Sequence, residues 1–241
     1  MSGKSIGIIG GMSPESTVTY YETIVHTHHR AEGDHDYPRI LIGSVPFGPI
    51  SDACHDGEWE RVRDLVQSEA DALAAGGADF LLIAANTIHK VVPDLTLPRP
   101  LLAIYDAAAA TAREGGYRSL GLTGTEFTMS GGFFREALEE RGLEVVIPGE
   151  ADRERIHRMI YDDLVRGEVT AVHRAMFSEI GERLLEAGAD AVLLACTELE
   201  MLTREDAFVF PSLDTTTLHA KAAWAHAMGR KEYPLVPAAA G

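Results

Sequence analysis

The chain has 241 residues, of which 46% are hydrophobic and 24% charged, and its 21 basic and 37 acidic side chains give a formal net charge of −16. This composition excludes a disordered or collagen-like chain. The acidic excess argues against nucleic acid and membrane surfaces as partners, because both carry negative charge and would repel the protein at long range. The apolar run from Ile6 is interrupted by Gly7, Gly10 and Gly11, so we expect neither a secretory segment nor a spanning helix there, and a cytoplasmic location.

Short apolar runs bounded by glycine or proline alternate with longer segments of helical period. This alternation is typical of parallel sheets with crossover helices and predicts an α/β fold. The first helix is expected to follow Ser13, with Val18, Tyr21 and Val25 forming the stripe that faces the core. The predicted strands are 5–9, 40–45, 80–84, 101–104, 119–122, 144–147, 191–194 and 208–210.

The second half of the sequence repeats the first. Residues 77–87 line up with residues 188–198 at an offset of 111, and residues 5–11 line up with residues 119–125 at an offset of 114. Solenoid repeats recur every 20 to 50 residues, so a period of this length indicates a duplicated domain instead.

Two similar lobes follow from the repeat, each with a four-stranded parallel sheet. Lobe 1 is predicted to comprise residues 1–105 plus 211–241, and lobe 2 residues 106–210, with the active site in the cleft between them. Ligands of open α/β sheets bind at the carboxyl ends of the strands. The strand ends expected to form the site carry Met12, Asn86, Thr87, Thr125, Cys196 and Thr197.

Cys196 directly follows a predicted strand and precedes Thr197 and Glu198. A thiol at such a turn lies near backbone N–H groups that favour the thiolate, which is typical of a reactive cysteine. A buried structural thiol is the alternative, since cysteine is among the most buried residue types.

Four uncharged donors accompany this thiol at the strand ends: Asn86, Thr87, Thr125 and Thr197. Each can donate a hydrogen bond to a substrate carboxylate. Each can equally be a simple helix cap, which is a common role for Asn and Thr at helix starts. Their recurrence in both halves favours the binding role.

The sequence resembles the aspartate/glutamate racemase family in six ordered blocks that span most of the chain. The blocks are 7–17, 85–90, 124–129, 160–167, 188–190 with 195–198, and 213–220. The resemblance implies two flavodoxin-like lobes and an enzyme, usually dimeric, that moves the α-proton of an acidic amino acid without pyridoxal phosphate or a metal. It also implies that Arg166 faces the side-chain carboxylate of the substrate and that Met12 lines the pocket. A solvated cation is the alternative for Arg166.

Racemisation removes a proton from one face of the α-carbon and returns one to the other face, so it requires two acid/base groups, and two lobes can supply them. The family places a cysteine or a threonine at the position paired with Cys196, whereas this chain has Ala85. Three explanations stay open: an introduced substitution, an enzyme that works with one thiol, or a second proton carried by Thr87, His89 or water. Pro46 also departs from the family, which usually has an acidic or amide residue there.

Three functions are compatible with these residues. The first is an aspartate/glutamate-type racemase, expected to be a homodimer that acts on a dicarboxylic amino acid. The second is a single-cysteine decarboxylase or isomerase of the same superfamily, and the third an inactive relative that binds carboxylates. Residues His26, His28, His29 and His35 lack metal-site spacing and are expected at the surface, and Cys54 is expected in a polar loop away from the site.

Overall fold

The computed structural model describes residues 3–203 and 208–239. The chain divides into two compact units, which we call unit 1 (Met1–Ala107 and Thr216–Gly241) and unit 2 (Ala108–Thr215). The sequence predicts divisions after residues 105 and 210, and these boundaries stay a prediction. The predicted cleft stays a prediction.

The elements of the described residues alternate between strands and helices along the chain. The strands are β1 (Ile6–Gly10), β2 (Ile40–Ser44), β3 (Phe80–Ile83), β4 (Ser119–Gly124), β5 (Glu144–Val146), β6 (Ala191–Ala195) and β7 (Ser212–Asp214). The α-helices are α1 (Pro14–Glu32), α2 (Phe47–His55), α3 (Trp59–Ala75), α4 (Ile104–Glu114), α5 (Glu126–Ser130), α6 (Phe133–Glu139), α7 (Glu150–Arg158), α8 (Ala171–Glu186) and α9 (Thr215–Ala227). The other helices are the 3₁₀ helices Thr87–Asp94, Leu164–Arg166 and Thr197–Thr203 and the π-helix Met159–Asp163.

Each unit contains one parallel sheet, which confirms the α/β prediction. The strand order is β2-β1-β3 in unit 1 and β5-β4-β6-β7 in unit 2. Next to β3, Leu101 forms a single parallel bridge with Leu81, in the place that β7 takes beside β6. The fourth strand predicted at 101–104 is therefore wrong in length, because α4 already begins at Ile104. The two units share one topology, with three strands plus this bridge in the first and four strands in the second.

The last predicted strand, at 208–210, is also wrong. The structure places β7 at Ser212–Asp214. Phe210 packs its ring against Gly181 of α8, where an added Cβ would come within 2.2 Å of the ring. The aromatic residues before β7 thus fill the core of unit 2 as a loop, and their apolar character reflects packing and not strand pairing.

The repeat is visible in the hydrogen bonds that begin β3 and β6. In unit 1, the Asp79 carboxylate accepts from the Ser5 N–H at 2.7 Å, and the Asp79 N–H donates to the Ser5 carbonyl at 2.9 Å. In unit 2, Asp190 makes the same pair of bonds with Ser119 at 2.9 and 2.8 Å. Equivalent residues therefore form the same hydrogen bonds in both halves, which supports the alignment that pairs Ala85 with Cys196.

The core-facing side of α1 is the opposite of the one predicted. Val18 and Tyr21 are 56% and 42% exposed, whereas the residues that face the sheet are Ser16, Thr17, Tyr20, Ile24 and His28. The polar side chains of this face form hydrogen bonds inside the protein. The Ser16 hydroxyl, for example, bonds to the carbonyl of Ala84 at 3.0 Å. A hydropathy stripe cannot detect such a face, since it counts these residues as surface.

Four histidines of unit 1 are buried: His28, His89, His219 and His226. His28, expected at the surface, pairs through Nε2 with the Asp34 carboxylate at 2.6 Å. His89 bonds through Nδ1 to the Ala85 carbonyl at 2.8 Å and accepts at Nε2 from the Ile104 N–H at 3.0 Å. His219 contacts the Tyr20 hydroxyl at 2.7 Å and the Leu102 carbonyl at 2.9 Å. Burial lowers the pKa of His89 to about 4 and that of His219 to about 3.

These two shifts predict that the protein loses stability as the pH falls below about 6.5, the ordinary histidine pKa of an unfolded chain. Between that pH and about 4, His89 and His219 together bind up to two more protons in the unfolded chain than in the folded chain. The free energy of unfolding therefore decreases with falling pH, by up to about 2.7 kcal/mol per pH unit. Urea denaturation from pH 7.5 to 4.5 measures this slope.

One variant of a buried histidine and one of an exposed histidine test whether the buried histidines cause the pH dependence of the free energy of unfolding. His219→Gln should reduce the slope by up to about 1.4 kcal/mol per pH unit, the share of one histidine, whereas His26→Gln, which changes an exposed histidine of α1, should leave it unchanged. An equal slope in all three proteins would mean that the buried histidines are not responsible.

Candidate active site

In unit 1, Met12 and the Ala85–Asn86 segment are tied together at the carboxyl ends of β1 and β3. The turn after β1 needs glycine at position 11, because φ is +87° there and a Cβ would lie 2.1 Å from the Val45 carbonyl. The Thr17 hydroxyl accepts from the Gly11 N–H at 2.8 Å. Met12, next in sequence, is buried. Two side chains at the start of α1, Ser16 and Thr17, therefore fix this turn against the end of β3.

Ala85 is held from both sides of its backbone. The Ala84 carbonyl accepts from Ser16, and the Ala85 carbonyl bonds to His89 at 2.8 Å. Because both ring nitrogens of His89 are bonded to backbone groups and its pKa is lowered to about 4 by burial, His89 is a neutral structural residue. This overturns the suggestion that His89 supplies the second proton.

Asn86, the single asparagine of the chain, has a buried amide without a partner. Its side chain is 4% exposed, and neither Oδ1 nor Nδ2 forms a hydrogen bond within the described residues. The residue begins the 3₁₀ helix Thr87–Asp94, but its side chain does not cap that helix. The cap role considered for Asn86 is therefore wrong. Buried amides are normally satisfied, so this one is available to a ligand.

We expect Asn86→Leu to raise the free energy of unfolding of the ligand-free protein by about 1 kcal/mol, since the change removes a buried polar group that has no partner at nearly constant volume. Thermal and chemical denaturation measure the effect. Gln67→Leu is the matched control, because the Gln67 amide bonds to the backbone of Thr96 at 2.9 Å in both directions and its loss should destabilise the protein. A destabilised Asn86→Leu protein would contradict the prediction.

In unit 2, the thiol of Cys196 lies at the carboxyl end of β6. The register pairs Gly124 of β4 with Ala195 of β6, so that Thr125 and Cys196 are the next residues on neighbouring strands. Cys196 is 7% exposed and belongs to the apolar core of the unit. Its Sγ donates to the Glu198 carboxylate at 3.0 Å, and the Thr197 hydroxyl donates to the same oxygen at 2.7 Å.

The environment of Cys196 favours the thiol over the thiolate. Burial raises its pKa well above the ordinary value, and the negative charge and hydrogen bond of Glu198 act in the same direction. The backbone N–H groups of Glu198 and Leu199 lower the pKa, as the sequence predicts, but they are the smaller influence. In the ligand-free protein, burial and Glu198 therefore outweigh the N–H groups that were expected to favour the thiolate.

The other predicted residues of unit 2 approach the same edge. Thr125 is buried at the start of α5, and its hydroxyl lies 3.3 Å from that of Thr128, with no side-chain cap of the helix. Arg166 ends a 3₁₀ helix that packs against the helix Thr197–Thr203. Its side chain is exposed and forms no ion pair with any residue that the structure describes. A charged group without a partner here agrees with both interpretations of Arg166.

Residues outside these two edges do not add to the site. Cys54 is buried in α2 and not in a polar loop as predicted, and burial raises its pKa to about 11. Lys90 stacks over the Trp59 ring at 3.7 Å. Within residues 3–203 and 208–239 we find no cluster of three side chains that could hold a metal ion. No helix of these residues has both the length and the apolar character needed to cross a membrane.

Sequence reasoning missed the role of Glu198. Its position two residues after the thiol was available as a signal, and so was its acidic character. Which way the carboxylate turns depends on the backbone of the short helix Thr197–Thr203, which brings Oε2 to both Cys196 and Thr197.

Comparison with known proteins identifies the family of the chain. The profile of the family described as Asp/Glu/Hydantoin racemase matches residues 9–223. The broad specificity amino-acid racemase RacX of Bacillus subtilis is 24% identical over 229 residues, which cover 90% of this chain and 95% of RacX.

Two solved structures are more similar in sequence. A proposed Asp/Glu racemase from Yersinia pestis is 36% identical, with a TM-score of 0.85 over 93% of this chain and 99% of that one. PH1733, an aspartate racemase homologue from Pyrococcus horikoshii, is 31% identical, with a TM-score of 0.78 over 91% and 97% of the two chains. The fold is thus that of the racemase family, whose members are isomerases. The chain belongs to the Asp/Glu/Hydantoin racemase family.

Proposed function

We propose that the protein is a cofactor-independent amino-acid racemase that acts on aspartate or glutamate, with Cys196 as a proton-transferring thiol. The observation that carries the proposal is the buried Cys196 thiol at the carboxyl end of β6, hydrogen-bonded to a carboxylate, in a chain of this family. The descriptions of the relatives name both substrates, as Asp/Glu racemase and as aspartate racemase homologue.

The chemistry follows from the acidity of the substrate. Loss of the α-proton leaves a carbanion whose charge spreads into the α-carboxylate, so neutral donors that bind this group stabilise the developing charge. We assign this role to the free amide of Asn86, together with Thr87, Thr125 and Thr197, and assign Arg166 to the side-chain carboxylate. Met12 lines the pocket in this proposal. In enzymes that stabilise a developing negative charge with such donors, removal of one donor lowers the rate by about 10²–10³-fold.

A second candidate is a single-thiol decarboxylase or isomerase. It is favoured by Ala85, whose methyl group cannot act as an acid or a base. It is also favoured by His89, because both of its ring nitrogens are hydrogen-bonded to backbone groups. Such an enzyme would use one thiol to protonate a carbanion on one face only, so it would need no acid/base group at position 85.

Incubation with L-aspartate and with L-glutamate in heavy water separates these functions. The α-proton signal is followed by NMR while chirality is followed by chromatography of derivatised samples. We expect exchange of the α-proton with inversion. Exchange with retention would instead support proton transfer on a single face, and saturable binding without exchange would support an inactive relative.

The proposal includes independence from pyridoxal phosphate and metals, since thiol acid/base chemistry requires neither. Activity should survive dialysis against a chelator and treatment with hydroxylamine, and loss of activity under either condition would contradict this part of the proposal. The homodimer and the cytoplasmic location expected from the sequence stay predictions.

A further inference from the structure

The carboxylate of Glu198 is placed to act on the proton of Cys196. Its Oε2 accepts from the Sγ of Cys196 at 3.0 Å and from the Thr197 hydroxyl at 2.7 Å. Two donors on one oxygen hold that carboxylate in a fixed orientation. The bonds come from consecutive residues after β6, so the rigid strand end sets their geometry.

We propose that Glu198, held by Thr197, is a positioning residue that keeps the Cys196 thiol protonated and so makes Cys196 the proton donor of the resting enzyme. The inference rests on the proposed function where it calls Cys196 a proton donor. The protonation state of the thiol does not depend on any substrate. Glu198 acts through Cys196 and is not assigned a contact with substrate.

The surroundings of the pair leave Glu198 as the dominant charge. Among the described elements, β6 and the helix Leu164–Arg166 pack most extensively against the helix Thr197–Thr203. The five residues of β6 carry no titratable side chain, and the second helix carries Arg166, which is exposed. Besides Glu198, the backbone N–H groups of Glu198 and Leu199 act on the thiol, and Cys196 belongs to the apolar core of unit 2. A half-buried carboxylate in contact with a buried thiol opposes the thiolate most strongly where the surroundings are this apolar.

The proton balance of the step is simple. When Cys196 protonates a carbanion, the S–H bond breaks, a C–H bond forms, and a thiolate remains beside the Glu198 carboxylate. The repulsion between these two negative charges makes the thiolate strongly basic. It then regains a proton from water or from the next substrate, and no oxidant or reductant is needed.

Alkylation by iodoacetamide tests the proposal, because only the thiolate reacts. The rate at Cys196 is measured by peptide mass spectrometry from pH 6 to 11, in wild type and in Glu198→Gln. We expect the midpoint of the wild-type profile above that of a free cysteine. In Glu198→Gln the midpoint should fall by at least about one pH unit, which makes alkylation about tenfold faster at pH 8. The basic limb of the exchange activity should shift in the same direction.

Glu200→Gln is the matched control, since it removes the same charge two residues further along the same helix. Its midpoint should equal that of wild type. Glu198→Asp keeps the charge and shortens the side chain, and its midpoint should lie between those of wild type and Glu198→Gln. An unchanged midpoint in a folded Glu198→Gln protein, or an equal shift in Glu200→Gln, overturns the proposal. If wild type shows no α-proton exchange but Glu198→Gln still lowers the midpoint of alkylation, the racemase function is contradicted and the influence of Glu198 on Cys196 is supported.

Discussion

Ala85→Cys should raise the racemisation rate of aspartate or glutamate by about 10²-fold or more, the usual contribution of a positioned acid/base group. The reason is that position 85 is equivalent to Cys196 in the repeat and carries a methyl group, which cannot act as an acid or a base. Its backbone is fixed by Ser16 through the Ala84 carbonyl and by His89 through its own carbonyl. A thiol introduced there would have a defined location. Chirality and α-proton exchange, measured together, give the rate.

Ala84→Cys is the matched control for this gain. Ala84 is the preceding residue and is packed in the apolar core of unit 1 with Ile8 and Phe80. A thiol at that position should add no activity, although it costs some stability by overpacking the core. Equal rates in Ala85→Cys and wild type, with both proteins folded, would show that position 85 does not reach the α-carbon.

Cys196→Ser should reduce α-proton exchange by about 10²–10⁴-fold. The hydroxyl preserves the approximate volume and the hydrogen bond to Glu198 that Sγ makes at 3.0 Å, so the change isolates the acid/base property of the sulfur. The fold should persist, which circular dichroism and thermal denaturation would check.

The second cysteine of the chain supplies the control. Cys54 is buried in α2, and its pKa is raised to about 11, mainly by burial, so it is a neutral thiol at physiological pH. Cys54→Ala should leave the exchange rate per folded molecule unchanged. A large loss in Cys54→Ala, or full activity in Cys196→Ser, would remove Cys196 from the mechanism.

Much of the fold could be predicted from local patterns, because buried parallel strands are continuous apolar runs. The errors occurred where an apolar run served another purpose. The aromatic residues before β7 pack into the core as a loop, with Phe210 against Gly181, and the stripe of Val18 and Tyr21 faces solvent while the more polar face of α1 is buried. In these cases tertiary packing decided the outcome, and the sequence carries no local mark of it.

The candidate site shows a similar division. Cys196 and Asn86 could be located because strand ends are where α/β sheets bind ligands. What could not be predicted was the balance of influences on the thiol. Backbone N–H groups that lower its pKa are visible as a motif, whereas the larger opposing effects, burial and the orientation of Glu198, depend on how the chain packs around Sγ. The missing partner of the Asn86 amide likewise emerges only from the packed structure.

Unit 1 is not continuous in sequence, and this affects the order in which the protein can be completed on the ribosome. Its core includes Ala220, Ala223 and Trp224 of α9, and Leu101 pairs with Val236 near the end of the chain. Unit 2 consists of one uninterrupted stretch, Ala108–Thr215. During synthesis unit 2 therefore has all its residues before unit 1, because β1 and β3 are made early whereas α9 and Val236, which complete the core and the pairing of unit 1, follow unit 2.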